Sequence, residues 1–85
     1  MQSIIAVFGN RSSALQFASA LKRLYVRNKI IDTPRDLSVA CGISVVFDGK
    51  HLRTAKTITQ RLMPNAAIKF YLVTNEPLRK YLPVK

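Results

Sequence analysis

The sequence predicts an α+β sandwich: a four-stranded antiparallel sheet with two helices on one face. Three observations carry this expectation. Short apolar runs rich in β-branched and aromatic residues recur along the chain, stretches of helical period separate them, and the order strand–helix–strand occurs twice. At 85 residues the chain supports one domain, 1–85, with a core over about 3–73 and a basic tail over 74–85.

Residues 3–8, SIIAVF, are β-branched and aromatic and stop at Gly9, which reads as a strand. GNRSS then opens a helix, with Asn10 or Ser12 as its N-cap. Ala14, Phe17, Ala18, Leu21, Leu24 and Tyr25 recur at helical spacing. Lys22 and Arg23 fall where the negative end of the helix dipole favours cations. Residues 28–32, NKIID, read as a second strand, and 43–48, ISVVFD, as a third, closed by an Asp48-Gly49 turn. A second helix is expected over about 51–63, with Leu52, Ala55, Ile58, Thr59 and Leu62 inward. Arg53, Lys56, Gln60 and Arg61 face outward, and Pro64-Asn65 stops the helix. Residues 66–73, AAIKFYLV, read as a fourth strand. The tail NEPLRKYLPVK holds Pro77 and Pro83, and one short helical turn is expected there.

The resulting order, βαββαβ, favours a ferredoxin-like arrangement with right-handed crossovers and strand order 4-1-3-2. A different α/β arrangement of the same elements is the alternative.

Hydrophobic residues make up 48% of the chain, too many for a disordered one. No apolar run approaches the roughly 18 residues of a membrane span, so no membrane partner is expected. The start, MQSIIAVFGNRSS, lacks a basic segment before its apolar run and reads as a strand, not a signal peptide. A single cysteine cannot close an internal disulfide, which favours a cytoplasmic location. Lys and Arg number 14 against 4 Asp and Glu, a net charge of +10 that favours nucleic acid, phosphorylated ligands or an acidic protein. One histidine, one cysteine and four acids build no convincing zinc site. No nucleotide-binding glycine loop or nucleophile elbow occurs. A carrier or binding protein is therefore expected in place of a stand-alone enzyme, with no cofactor and no metal.

TPRDLSVACG, residues 33–42, carries the only thiol. In the expected topology this connection lies at the same sheet end as the loop after the first strand. Cys41 and Gly42 should then approach Gly9, Asn10, Arg11, Ser12 and the start of the first helix. Thr33 suits an N-cap, Pro34 the first helical position and Asp36 a capping-box carboxylate, so 34–40 is expected to make a turn or two of helix. Gly42 suits the left-handed residue that ends it. Cys41 itself fits two readings. It is a small buried apolar residue, or it is a thiolate favoured by Arg11 or Arg35 and the first helix's amino end. His51 belongs at the opposite end of the sheet, so a Cys–His pair is not expected.

Residues Thr33, Pro34, Arg35, Ser38, Cys41 and Gly42 fill, position by position, a TPRxxSxxCG stretch that precedes a strand. Ser12, Ser13 and Ala14 match a hydroxyl-bearing loop that opens the first helix. In these features the chain resembles the small bacterial domains of the putative Se/S carrier protein-like family, over roughly residues 3–73. It departs from the family form in having no histidine between Gly9 and Ala14. The resemblance implies that Cys41 receives sulfur or selenium as a persulfide or selenosulfide and passes it on. It implies a donor of the cysteine desulfurase type and an acceptor protein. Thr33, Pro34, Arg35, Ser38 and Gly42 would then form the binding segment, with Arg11, Ser12 and Ser13 from the neighbouring loop.

Two other readings stay open. In a nucleic-acid or phosphate-binding module, Lys69 and Tyr71 would share one strand face, and Phe8 and Phe47 would stack bases if they pointed outward. In an interaction domain with a structural Cys41, the sheet itself would be the surface. Its strands are apolar on both faces: Ile4, Ala6 and Phe8 against Ile5 and Val7, and Ile43, Val45 and Phe47 against Val46. One face therefore needs a cover beyond the helices. A homodimer, or the tail through Leu78, Tyr81 and Leu82, would supply it.

Overall fold

The computed structural model describes residues 2–35, 37, 42–74 and 80–84. The chain runs through β1 (Ser3–Phe8), α1 (Arg11–Arg23), β2 (Asn28–Asp32), β3 (Ile43–Asp48), a 3-10 turn (Gly49–His51), α2 (Leu52–Leu62), β4 (Ile68–Thr74) and β5 (Lys80–Val84).

Local chemistry sets the ends of α1. Asn10 is extended, and its side-chain oxygen accepts the Ser13 backbone N–H at 2.8 Å, as an N-cap does. At the other end the Tyr25 N–H donates to the Lys22 carbonyl at 3.0 Å and the Val26 N–H to the Leu21 carbonyl at 2.9 Å. This is a Schellman closure, and it puts Tyr25 in the left-handed region at φ +59°. The closure corrects the expected apolar stripe. Leu24 and Tyr25 are exposed, Tyr25 to 95%, because the helix stops at Arg23 and the chain reverses. Val26 takes the inward place and packs in the same core as Leu21.

The strands form one antiparallel sheet in the order β2-β3-β1-β4-β5. The order 4-1-3-2 holds for the first four strands, but the sheet has five, which corrects the four-stranded expectation. The helical turn expected in the tail is also corrected for residues 80–84, which pair with β4 through Val73↔Tyr81 and Leu72↔Leu82. Pro83 is tolerated there because β5 is an edge, where a missing N–H costs no ladder bond if it faces outward. Pro77 and Leu78 lie outside the described residues.

Two smaller boundaries also moved. Leu62, expected inside, is exposed, and Met63 is buried instead. The helix ends at Leu62, and the extended φ of −146° at Met63 turns that side chain inward. β4 begins at Ile68 and not at Ala66, because the Ala66 N–H closes a turn onto the Met63 carbonyl at 3.1 Å.

Both helices pack on one face. Ala14, Phe17, Ala18 and Leu21 of α1 and Ala55 and Ile58 of α2 meet Ile4, Ala6, Phe8, Val45 and Phe47 of the sheet. Phe17 is the hub, with its ring centroid 5.2 Å from Phe8, 5.8 Å from Phe47 and 6.3 Å from Phe70. These tilted and edge-on contacts are the favourable aromatic geometries. A second cluster forms on the helix-free face: Ile5, Val7 and Leu37, flanked by Ile31, Val46, Tyr71, Val73 and Tyr81. None of the helices is long and apolar enough to cross a membrane among the described residues.

Two stability predictions follow from this packing. Phe17→Ala should cost about 3–5 kcal/mol in urea denaturation, enough to unfold much of a small domain. Tyr25→Gly should instead raise stability by about 0.5–1 kcal/mol, since glycine carries no steric penalty at positive φ and Tyr25 is almost fully exposed.

Candidate functional site

One end of the sheet gathers the carboxyl ends of β1 and β2, the amino ends of β3 and β4, and the start of α1. Strand register fixes this. Val7 pairs with Ser44, Phe8 with Ile68, and Asp32 with Ile43. The Gly9 N–H donates to the Ala67 carbonyl at 2.8 Å, which holds the loop before α1 against the start of β4. Gly42 sits just before β3, at the same end as Gly9, Asn10 and Arg11, as the topology argument expected.

The connection between β2 and β3 is held at several points. The Thr33 N–H donates to the Gly42 carbonyl at 2.9 Å, extending the β2–β3 ladder one step past the strands. The Thr33 Oγ1 and Ser44 Oγ hydroxyls are 2.6 Å apart. Ser44 is 0% exposed, so this bond satisfies a hydroxyl that burial would otherwise penalise. The Leu37 N–H donates to the Pro34 carbonyl at 3.0 Å, closing a turn. Leu37 is only 8% exposed and packs with Ile5 and Val7 on the helix-free face. Gly42 has φ +78°, the left-handed conformation expected of it.

The short helix expected over 34–40 is not what the described residues form. Thr33 and Pro34 are irregular, Arg35 lies in a turn and Leu37 in a bend. The Thr33 hydroxyl is bonded to Ser44 across the ladder, and Leu37 is drawn under the sheet by its apolar neighbours. Asp36, Ser38 and Cys41 lie outside the described residues.

Thr33, Pro34, Arg35 and Gly42 thus share a sheet end with Arg11, Ser12 and Ser13. The two groups belong to different sides of it. α1 packs on one face, whereas Leu37 packs on the other. Arg11, Ser12 and Arg35 are exposed, while the Ser13 N–H is taken by the Asn10 cap. Two anchors escaped the sequence reading. Ser44 left a trace as the one hydroxyl in the apolar run ISVVF, and Leu37 as the largest apolar side chain in TPRDLSVACG.

His51 lies at the opposite end of the sheet. Asp48 pairs with Ser3, and the Gly49 N–H donates to the Gln2 carbonyl at 2.9 Å. Phe8 and Phe47, which would stack bases only if they pointed outward, are both buried against Phe17 under the helices. Lys69 is exposed, but Tyr71 is part of the apolar cluster around Leu37.

Ser44→Ala should cost about 1–2 kcal/mol, because it strips the buried partner from Thr33, and combining it with Thr33→Val should add little more. A double-mutant cycle in urea checks this. Gly42→Ala should cost about 1–2 kcal/mol from backbone strain, since an added Cβ meets nothing within 4 Å.

No curated protein and no solved structure matches the chain. A protein family does, over residues 3–71, a span that takes in both sides of this sheet end and the whole of the TPRDLSVACG segment. The chain belongs to the family described as "Putative Se/S carrier protein-like".

Proposed function

We propose that this protein is a sulfur or selenium carrier that holds the chalcogen on Cys41. The observation that carries the reading is the anchoring of the segment around the chain's only thiol. Thr33 and Gly42 are bonded to each other, Thr33 to buried Ser44, and Leu37 is packed beneath β1. The family supports the same chemistry by its description.

The reaction requires no redox partner. The Cys41 thiolate attacks the terminal sulfur of a persulfide on the donor. A new S–S bond forms at Cys41, the donor's S–S bond breaks, and the donor cysteine leaves as a thiolate. Delivery runs the same exchange in the other direction, with an acceptor thiolate attacking the terminal sulfur and Cys41 leaving. A selenosulfide is passed by the same bond exchange, with selenium in the terminal position. One cysteine suffices, since no resolving thiol is needed within the chain.

Two groups at this sheet end suit an anionic adduct. Arg11 and Arg35 are exposed at this sheet end and supply positive charge. The donor would be a desulfurase-type enzyme in a reducing compartment such as the cytoplasm, where an unpaired thiol persists. A net charge of +10 suits an acidic protein on either side of the transfer.

Mass spectrometry after incubation with a cysteine desulfurase and cysteine tests the reading. The native protein should gain the mass of one sulfur atom and lose it on reduction, and Cys41→Ser should gain none while keeping its thermal midpoint. A thiol that takes up neither sulfur nor an alkylating reagent until denaturant is added would sink the carrier reading.

A further inference from the structure

The two edges of the sheet are built differently. β5 carries Pro83, which has no N–H to offer and is a familiar block to strand pairing. β2 carries no proline, and among the described residues no strand pairs with its outer backbone. The Thr33–Gly42 bond sets the phase of the β2–β3 ladder. In an antiparallel pair, bonded and non-bonded positions alternate. Residues 29, 31 and 33 therefore turn their backbone groups to β3. Asn28, Ile30 and Asp32 turn theirs to the free edge.

Side chains beside this edge form a place for another strand. Ile30 of β2 and Leu15 of α1 are large apolar residues that are each 44% exposed. They line a groove of about 590 Å³ between α1 and β2, floored by Ala18 and Ser19. A strand added at the usual spacing of about 4.8 Å would send every second side chain into that groove. The rim is basic: Lys22 and Arg27 border the groove, and Lys29 faces the other side of the same edge.

We propose that β2 and this groove receive an extended, acidic segment of a partner protein as a sixth strand. Backbone bonds to Asn28, Ile30 and Asp32 would supply affinity, and alternate apolar side chains over Ile30 and Leu15 would supply register. Charge selects the occupant. A second copy would bring a rim of the same sign against this one, on a chain already at +10, whereas an acidic segment is drawn to it. The site rests on the carrier reading only for the partner's role as sulfur donor or acceptor. β2 runs directly into Thr33, so a strand docked here lies beside the thiol-bearing connection.

Fluorescence anisotropy with a short labelled peptide of alternating valine and glutamate tests the site. Binding should weaken as salt rises, and Ile30→Asp should weaken it by about tenfold or more. Arg27→Glu, outside any ladder, should weaken it too while leaving the thermal midpoint unchanged. Hydrogen exchange should show new protection at the amides of Asn28, Ile30 and Asp32. Equal binding of a valine–lysine peptide, insensitivity to both substitutions, or protection elsewhere would overturn the proposal. So would sedimentation showing a dimer that Ile30→Asp abolishes with no peptide bound, which would make a second copy the occupant. Cys41→Ser should bind the peptide as the native protein does. Peptide binding without a sulfur adduct would remove the carrier reading alone, and an adduct without peptide binding would remove the docking site alone.

Discussion

β1 is apolar on both of its faces, and both must be kept from water. Ile4, Ala6 and Phe8 point to one side of the sheet and Ile5 and Val7 to the other, and all five are buried. Two helices can cover only one of those sides when they sit together on it, as α1 and α2 do. The second cover comes from elsewhere in the chain: Leu37 from the β2–β3 connection, and Tyr81 from a fifth strand on the far side of β4. The central position of β1 makes this demand strict, because it is flanked by β3 and β4 and cannot rotate either face to solvent.

That demand links the fold to the candidate site. The connection that carries the thiol is also part of the underside of the core. Leu37 gives it a hydrophobic anchor, and the Thr33–Ser44 hydroxyl pair gives it a directional one. A buried hydroxyl in an otherwise apolar strand face is tolerated only when its partner arrives in one geometry, so the pair also fixes where the connection leaves β2. Thr33, Leu37 and Gly42 are thus placed by forces that have nothing to do with sulfur chemistry.

Charge and edge chemistry then divide the surface. The helix-free face is partly closed by the chain's own residues, which lessens the need for a sheet-to-sheet dimer to cover it. The β5 edge is blocked by proline, and the β2 edge is open beside an apolar groove with a basic rim.

Periodicity and local turn chemistry were enough to read the strands at 3–8, 28–32 and 43–48 and a helix opening at Asn10 or Ser12, of which Asn10 is the cap, because each depends on residues close in sequence. The left-handed Gly42 was legible for the same reason, and the family was legible as a resemblance that the match over residues 3–71 bears out. The order 4-1-3-2 followed instead from the succession of elements and the few ways it can be wound into one sheet. Leu24, Tyr25 and Leu62 were misread because a period continues on paper after a helix has stopped, and the closing hydrogen bonds decide where that is. Lys80–Val84 was not read as a strand because it becomes one only against the edge of β4. The sequence by itself determined which segments could be strands and helices and which segment held the thiol. The tertiary structure alone decided that Leu37 and Tyr81 close the second face, that Ser44 holds Thr33, and that β2 is the open edge, because each of these is a contact between residues far apart in the chain.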